Sequence, residues 1–293
     1  MREPHLTEIE EIYRQAIFYQ KQGDVYHAVK LSKKAIKIAP DWSAPFSLLS
    51  NIYKYRNEWH PAFYYSQKAI SLNPFDEEAW QNLAISGTAL KKWDTARKAW
   101  NQLGYDFPEK NKVIKMNMGN IPVRINPKTK PEIIWATKID PARAYIASVP
   151  QPSSDRRFRD LILVDHSPTG FFINEKEKMP VYNELQLLKP SRKWTFIAFL
   201  ETTNPMDIMA LDRLCAKARL GFDNWSTATR HYLNQTNDRL PEYFDKSIIQ
   251  DFKSDNYLIA ISAEWQQEVR EILDAWKVVT LKKYSGLKCV LKW

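Results

Sequence analysis

The chain has few of the residues on which phosphate-binding enzymes and secreted scaffolds depend. Only 7 of its 293 residues are glycine, and only two, Cys215 and Cys289, are cysteine. Two cysteines are too few for a disulfide framework or a cysteine-based zinc site. The sequence has no phosphate loop or dinucleotide fingerprint, and its five histidines lack the spacing of metal ligands. We therefore expect no cofactor.

Long apolar runs are also missing. No stretch of about 18 apolar residues is present, and the polar start of the chain is not followed by the apolar segment of a secretory signal. The sequence thus predicts a cytoplasmic protein without a membrane partner. What it does contain is a 44% hydrophobic content and 11 tryptophans, which is ample for a folded core rich in aromatic packing.

The positive charge is concentrated in the middle of the chain. Of the formal net charge of +9, residues 109–194 carry +7, residues 1–108 carry +2 and residues 195–293 carry none. A basic module can attract nucleic acid or an acidic protein surface, and a lysine-rich solvated surface gives the same count.

The first third of the chain repeats itself every 34 residues. Proline recurs where a helix must end, and a small residue recurs where two helices of a hairpin approach closely. The recurring sets are Pro40, Pro74 and Pro108; Ala28, Ala62 and Ala96; Ala16, Ser50 and Ala84; Ala35 and Ala69, with Leu103 in the third place; and Tyr19 and Tyr53.

This period and pattern resemble the tetratricopeptide repeat (TPR) family over residues 9–108. Gly87 and Leu103 depart from the usual pattern of the repeat. The resemblance implies that residues 1–108 form a solenoid of three helical hairpins, with repeats at 9–42, 43–76 and 77–110. The helices are predicted at 9–22, 24–38, 43–56, 59–72, 77–90 and 93–106.

The resemblance also implies a binding surface, because in such solenoids the first helix of each pair lines a concave groove. Asparagine, lysine and arginine side chains clamp chaperone tails in some family members. Of the corresponding residues here, mainly Tyr13, Ile17, Leu48, Glu78 and Asn82, only the asparagine fits, so a chaperone tail is not the expected partner. Packing of the tyrosines inside the groove or against the downstream half is the alternative to a docking role. The candidate contacts are Tyr13, Ile17, Gln20, Asn51, Lys54, Tyr55, Gln81, Asn82 and Ile85.

After residue 108 the pattern changes to short β-strands. Residues 113–190 are predicted to form a small, basic, antiparallel β module, for which a closed barrel is one candidate, because short strands joined by tight turns form such barrels. Polar turns are expected at 166–170 and 175–178. The predicted extended segments are 116–125, 133–139, 142–149, 160–165, 171–173 and 180–185.

The last third, residues 191–293, combines strands with helices. We expect an α+β module, for which a ferredoxin-like sandwich is one candidate. Helices are predicted at 205–218 and 263–276, and strands at 194–200, 256–261, 278–281 and 289–293. No family resemblance covers residues 109–293.

Several polar motifs have residue types that occur in catalytic or anion-binding sites. Asp165, His166 and Ser167 have the residue types of a hydrolytic triad, but neighbours on a strand point to opposite faces, which favours a polar turn. Cys215 lies on an apolar helix face and is expected to be a core thiol. Arg230 and His231 can bind an anion or cap a helix. An enzyme with a site in the C-terminal half is therefore an open alternative.

The sharpest basic cluster is formed by Arg156, Arg157 and Arg159 beside Phe158. Guanidinium groups next to an aromatic ring can contact phosphates and stack on bases. The leading hypothesis remains a protein that docks a protein or peptide partner on the groove. A nucleic-acid or ribonucleoprotein binder acting through the basic middle module is the alternative.

Overall fold

The computed structural model describes residues 6–108, 113–174, 177–226, 231–234 and 256–292. The chain divides into two units, Met1–Lys115 and Met116–Trp293. The first unit carries the repeats. The second holds both of the sheets, so the division into a middle and a C-terminal domain remains a prediction.

The first unit consists of six helices that pair as three hairpins, which confirms the helical repeat. Each first helix packs on the helix that follows it, and neighbouring hairpins pack on one another. No strand occurs among the described residues 6–108. The helices are α1 (Leu6–Lys21), α2 (Val25–Ile38), α3 (Ala44–Tyr55), α4 (Trp59–Leu72), α5 (Glu77–Ala89) and α6 (Trp93–Gln102).

The recurring small residues lie where the helices meet, because only a small side chain allows two backbones to approach. Gly87 has the same role, since a Cβ atom there would lie 3.3 Å from the backbone nitrogen of Ala96 on the partner helix. Two helices are also capped at their N-termini. The Asp24 carboxylate accepts the backbone N–H of His27 and caps α2, and the Asp76 carboxylate accepts that of Ala79 and caps α5. The fully buried members of the small sets are Ala16, Ser50, Ala84, Ala28, Ala62, Ala96, Ala35 and Ala69.

The third hairpin departs from the prediction at its end. Helix α6 was expected to reach residue 106 but ends at Gln102. Gly104 follows with φ at +90°, which breaks the helix. The Asn101 side chain then bonds both the N–H and the C=O of Phe107, at 2.8 Å each, and holds the chain in a turn. Pro108 thus lies beyond the helix that it was expected to end.

The second unit begins with a five-stranded ring. Neighbouring strands pair antiparallel around it, β3 also pairs with β4, and a parallel pairing of β1 with β5 closes it. Alternate residues of the strands fill the interior, including Val123, Ile134 and Ile162. The strands are β1 (Asn120–Ile125), β2 (Glu132–Lys138), β3 (Arg143–Ile146), β4 (Leu161–Asn174) and β5 (Glu177–Lys189).

The turn predicted at 166–170 is wrong. These residues belong to the long strand β4, and the pairing register with β5 shifts between Val164, Pro168 and Gly170. Bulges accommodate a proline and a glycine within a strand, so these two residues mark irregular pairing here rather than a reversal of the chain. A short strand, β8 (His231–Asn234), pairs with the far end of β4.

The rest of the unit is a four-stranded antiparallel sheet with two helices. Its order is β10-β6-β9-β7, and its core joins strand residues to Leu211 of α7 and to Leu273 and Trp276 of α8. The predicted strand at 278–281 is wrong, since those residues end α8, where Leu281 has φ at +60°. The elements are β6 (Trp194–Glu201), α7 (Pro205–Lys217), β7 (Gly221–Asn224), β9 (Tyr257–Ala263), α8 (Gln266–Thr280) and β10 (Lys283–Leu291).

Aromatic side chains join the ring to the sheet. The Trp225 indole N–H donates to the carbonyl of Val149 at 3.1 Å, and both residues belong to a cluster on the sheet. The Phe158 ring lies so close to Gly221 that a Cβ atom there would be 2.7 Å from it. A glycine is therefore required at this crossing of the ring segment and β7.

Candidate functional site

Side chains from all three first helices meet on the first unit. The Asn51 amide of α3 donates to the carboxylate of Glu78 on α5, and the Asn82 amide of α5 donates to the hydroxyl of Ser50 on α3, at 3.0 Å. Glu78 also lies near enough to Tyr13 of α1 for its negative charge to raise the pKa of the Tyr13 phenol. We name Tyr13, Ser50, Asn51, Glu78 and Asn82 the groove cluster.

The phenol of Tyr13 is held in a partly apolar setting. Its ring meets the indole of Trp42 edge to face, with the centroids 4.7 Å apart. Burial, and next the carboxylates of Glu78 and Asp76, raise the pKa of Tyr13 above its ordinary value. The phenol therefore stays protonated and can act as a hydrogen-bond donor throughout the physiological pH range.

Two amide oxygens of the groove cluster have no donor. The Oδ1 atoms of Asn51 and Asn82 are buried and make no hydrogen bond among the described residues. A buried acceptor that lacks a donor costs about 1–3 kcal/mol. Asn82 is fully buried and connects α5 to α3 within the protein, so of the two amides only that of Asn51, which is half-buried, lies where a partner can reach it.

The groove is acidic at the start of α5. Asp76, Glu77 and Glu78 follow one another there, and Glu77 and Glu78 are exposed. Gln81, a predicted contact, donates to Glu77 at 3.2 Å along the same helix. The ammonium of Lys54 is buried and lies 4.2 Å from the centroid of the Tyr55 ring. The exposed charge at this end is thus negative.

The other predicted groove residues differ in their exposure. Tyr55 is 37% exposed and Gln20 is half-buried, so both can be reached. Ile85 is fully buried and Lys54 is 3% exposed, which corrects their assignment as surface contacts. The reason for Ile85 lies in α5 itself, where every residue from Asn82 to Thr88 is buried.

Sequence reasoning missed two residues of this region as contributors. Glu78 was considered only as a residue unsuited to a chaperone clamp, yet it connects α5 to α3. Its spacing of four residues before Asn82 places both on one face of the helix and could have shown this. Trp42 precedes α3 in a turn, where periodicity gives no signal.

The arginine cluster of the second unit is largely engaged within the protein, which corrects its assignment as a phosphate site. The Arg156 Nε lies 2.7 Å from the buried carboxylate of Glu184, and Arg157 donates to the carbonyl of Lys292 at 2.7 Å. Phe158 is buried against Gly221 and offers no face to a base. Of the set, only Arg159 is exposed.

The second anion candidate cannot be placed. Arg230 lies outside the described residues. The backbone of His231 belongs to β8, but its side chain is likewise outside the described part of the chain.

The residues weighed for catalysis occupy structural positions. Cys215 is fully buried in the sheet–helix core, and burial, with a lesser contribution from Asp212, raises its pKa to about 12. A thiol in this state is not a nucleophile at neutral pH. Asp165 and His166 lie in the bulged part of β4. Within the described ranges, no group of three or more His, Cys, Asp or Glu residues is placed to hold a metal ion.

No family model and no curated protein matches the chain. Solved TPR domains are similar to its helical third. The first TPR of Spaghetti (RPAP3), bound to the HSP90 peptide SRMEEVD, is 17% identical, and the match covers 35% of this chain and 82% of that one, with a TM-score of 0.33. The TPR2B domain of yeast Sti1, in a pHsp70 complex, is 23% identical over 33% and 77%, with a TM-score of 0.31.

A third solved structure, the Sgt2 TPR domain from Aspergillus fumigatus, is 18% identical, with 32% of this chain and 63% of that one covered and a TM-score of 0.31. These likenesses concern the fold of the repeats alone. Among the described residues, no helix has both the length and the apolar character needed to span a membrane.

Proposed function

We propose that this chain is a cytoplasmic protein-docking module, which binds an extended segment of a partner protein on its groove cluster. The observation that carries the proposal is the convergence of α1, α3 and α5 on Tyr13, Asn51 and Glu78, with an amide oxygen of Asn51 that lacks a donor among the described residues. Repeat solenoids use such surfaces to hold peptides rather than to transform them.

The chemistry of the groove cluster indicates what kind of partner segment it can bind. An extended backbone offers an N–H group at every residue other than proline, and the Oδ1 atom of Asn51 is an acceptor for one of them. The Tyr13 ring, fixed by Trp42, offers a large contact area with few rotatable bonds. These groups recognise a backbone and an apolar side chain without fixing a sequence.

The charge of the groove further restricts which partner segments can bind. Glu77 and Glu78 are exposed at the start of α5 and attract lysine or arginine. A C-terminal carboxylate or an acidic tail would be repelled at the same place. We therefore expect a neutral or basic internal segment as the partner, in contrast to the peptide SRMEEVD bound by the first TPR of Spaghetti.

Selection from a randomised peptide library, followed by titration of the selected peptides, tests this proposal. Wild type is expected to select peptides enriched in lysine and arginine. Glu78→Gln should weaken that preference and Glu78→Lys should reverse it. Asn51→Ala should lower the affinity about tenfold or more, since a backbone hydrogen bond to a buried amide is lost.

Glu11→Lys provides the matched control. It makes the same change of charge on an exposed residue of α1. Residues two apart on a helix do not share a face, so Glu11 points away from Tyr13. If Glu11→Lys changes the selected peptides as much as Glu78→Lys does, or if wild type prefers acidic tails, the groove cluster is not the docking site.

We also propose that the sheet and helices of residues 191–293 form a ferredoxin-like sandwich. The order β10-β6-β9-β7, with α7 after β6 and α8 after β9, supports this assignment. The strand β8, inserted between β7 and β9, pairs with β4 instead. An experimental structure in which β6 does not lie between β9 and β10 would contradict the assignment.

A further inference from the structure

A basic pocket lies in the second unit, apart from the groove cluster in sequence and in chemistry. Its volume is about 360 Å³, and it is lined by Arg159, Lys189 and Arg192 together with Tyr145, Ser191 and Glu264. This volume falls within the usual range for sites that hold small ligands or single groups of larger ones.

Strand pairing brings the three cations together. Leu161 at the start of β4 pairs with Lys189 at the end of β5, so the residues just before β4 lie beside those just after β5. The buried carboxylate of Asp160 accepts the backbone N–H of Ser191 at 2.7 Å and that of Arg157 at 2.8 Å. The pocket is therefore held in shape by hydrogen bonds beneath it, without using its cations.

These cations remain available for a ligand. Arg159, Lys189 and Arg192 are exposed, and none of them forms an ion pair with another described residue. The carboxylate that lines the pocket, Glu264, lies 3.3 Å from the ammonium of Lys193 and is neutralised by it. The net charge around the cavity is thus positive, which favours an anion.

An exposed indole adjoins the pocket in sequence. Trp265 directly follows Glu264 and is 65% exposed, although a large apolar ring is costly to leave in water. Its ring centroid lies 6.4 Å from that of Trp194, and the ammonium of Lys292 lies 5.5 Å from the Trp194 ring. Glu268 accepts the backbone N–H groups of Glu264 and Trp265, at 2.9 and 3.0 Å, and fixes this segment.

We propose that the basic pocket and Trp265 bind single-stranded nucleic acid. Arg159, Lys189 and Arg192 contact phosphates, and the exposed face of Trp265 stacks on an unpaired base. Cationic grooves with aromatic platforms bind single strands in this way, because every base has a π face and every linkage carries a charge. In a duplex the bases are already stacked on one another, so Trp265 has no partner there.

The site differs from the arginine cluster that the sequence singled out. Arg156 forms an ion pair with Glu184, and Arg157 donates to the carbonyl of Lys292. Phe158 packs against Gly221. Only Arg159 is shared between the two. Lys189 and Arg192 come from the end of β5 and the residues after it, and Trp265 comes from the turn before α8, which a linear motif search does not join.

Fluorescence anisotropy with the full-length protein tests the proposal. The probes are labelled oligothymidylate and oligouridylate, a duplex of the same length, and poly-glutamate. Wild type is expected to bind at least one of the two single-stranded probes more tightly than it binds the duplex or poly-glutamate. The DNA and RNA probes then distinguish the two sources of the same chemistry.

Four variants locate the site. Arg159→Ala with Arg192→Ala should weaken binding and make the slope of log K against log salt shallower by about 1.4, since each phosphate contact on a single strand contributes about 0.7. Trp265→Ala should weaken binding about tenfold through lost stacking, and Trp265→Phe should restore most of it. The control variant, Lys282→Ala with Lys283→Ala, removes the same charge at the start of β10, at the other end of that strand from Lys292, and should bind as wild type.

Several results would overturn the proposal: no binding of either single strand by wild type, a duplex bound as tightly as a single strand, or tighter binding of poly-glutamate. Equal losses in the arginine pair and in the lysine pair would do so as well, because they would indicate charge alone. Circular dichroism melting confirms that each variant is folded. None of these residues belongs to the groove cluster, so the result is separate from that of the peptide titration.

Discussion

The two units differ in the size of the side chains that join their helices and strands. In the first unit, alanine, serine and glycine lie where helices meet, and the contacts join residues close in sequence. In the second unit, large aromatic side chains join distant segments, as Trp276 does between α8 and α7 and Trp225 does between the sheet and Val149. The first unit is therefore most sensitive to added volume, and the second to removed volume.

The largest effect is expected from removing an aromatic residue of the second unit. Trp276 is fully buried, and its indole donates to the carbonyl of Asp207 at 2.7 Å. Trp276→Ala should lower the free energy of unfolding by about 3–5 kcal/mol. Chemical denaturation followed by fluorescence measures it, and a loss below that of an exposed substitution would show that this core does not depend on the ring.

A charged pair of the second unit should come next. Arg156→Ala leaves the Glu184 carboxylate, which is 2% exposed, without its cation, and should cost about 3 kcal/mol. Arg159→Ala removes an exposed guanidinium and should stay within about 0.5 kcal/mol. Equal changes in denaturation midpoint for the two variants would contradict the division into a structural and a ligand-binding arginine.

Added volume should have a smaller but clear effect in the first unit. Ala62 is fully buried between α3 and α4, so Ala62→Leu should cost about 1–3 kcal/mol through overpacking. Lys68 on the same helix is exposed, and Lys68→Leu should change stability by no more than about 0.5 kcal/mol. Thermal melting compares them, and identical midpoints would mean that the repeat register is misassigned.

The smallest effect is expected at Gly87. A methyl group there would lie 3.3 Å from the nitrogen of Ala96, which is tight, and the helix would gain about 1 kcal/mol from replacing glycine with alanine. The two terms oppose each other, so Gly87→Ala should leave the unfolding free energy nearly unchanged. A loss as large as that of Ala62→Leu would show that α5 and α6 cannot separate by even a few tenths of an ångström.

The same contrast explains what the sequence could predict. In the first unit, local spacing determines the contacts, so the 34-residue register predicted the helices and the buried alanines. Its failures, the end of α6 and the burial of Ile85 and Lys54, arise where a glycine turn or packing from several sides overrides periodicity. The groove residues were placed on the correct helices, but their pairing with Glu78 depends on how α3 and α5 align.

In the second unit, most strands were predicted, β7 was not, and the pairing of the strands was not. The predicted extended segments include Leu161 but end at residue 185, before Lys189, and nothing in the sequence pairs these two residues. The basic pocket arises from that pairing, so the sequence could supply Arg159 but not Lys189 or Arg192. The strand predicted at 278–281 failed because α8 continues through Val278 and Val279, which are β-branched but exposed. The turn predicted at 166–170 failed because β4 accommodates Pro168 and Gly170 through irregular pairing.

The position of β6 in the four-stranded sheet has a consequence for how the chain is made. Each hairpin of the first unit can close as soon as its second helix is synthesised. Strand β6 lies between β9 and β10, and β10 begins only at Lys283, far behind Trp194 in the order of synthesis. At a translation rate of about 5–20 residues per second, one edge of an apolar strand stays open for roughly 5–20 seconds. Chaperone demand during biosynthesis therefore falls on the second unit, while the helical repeats are already folded.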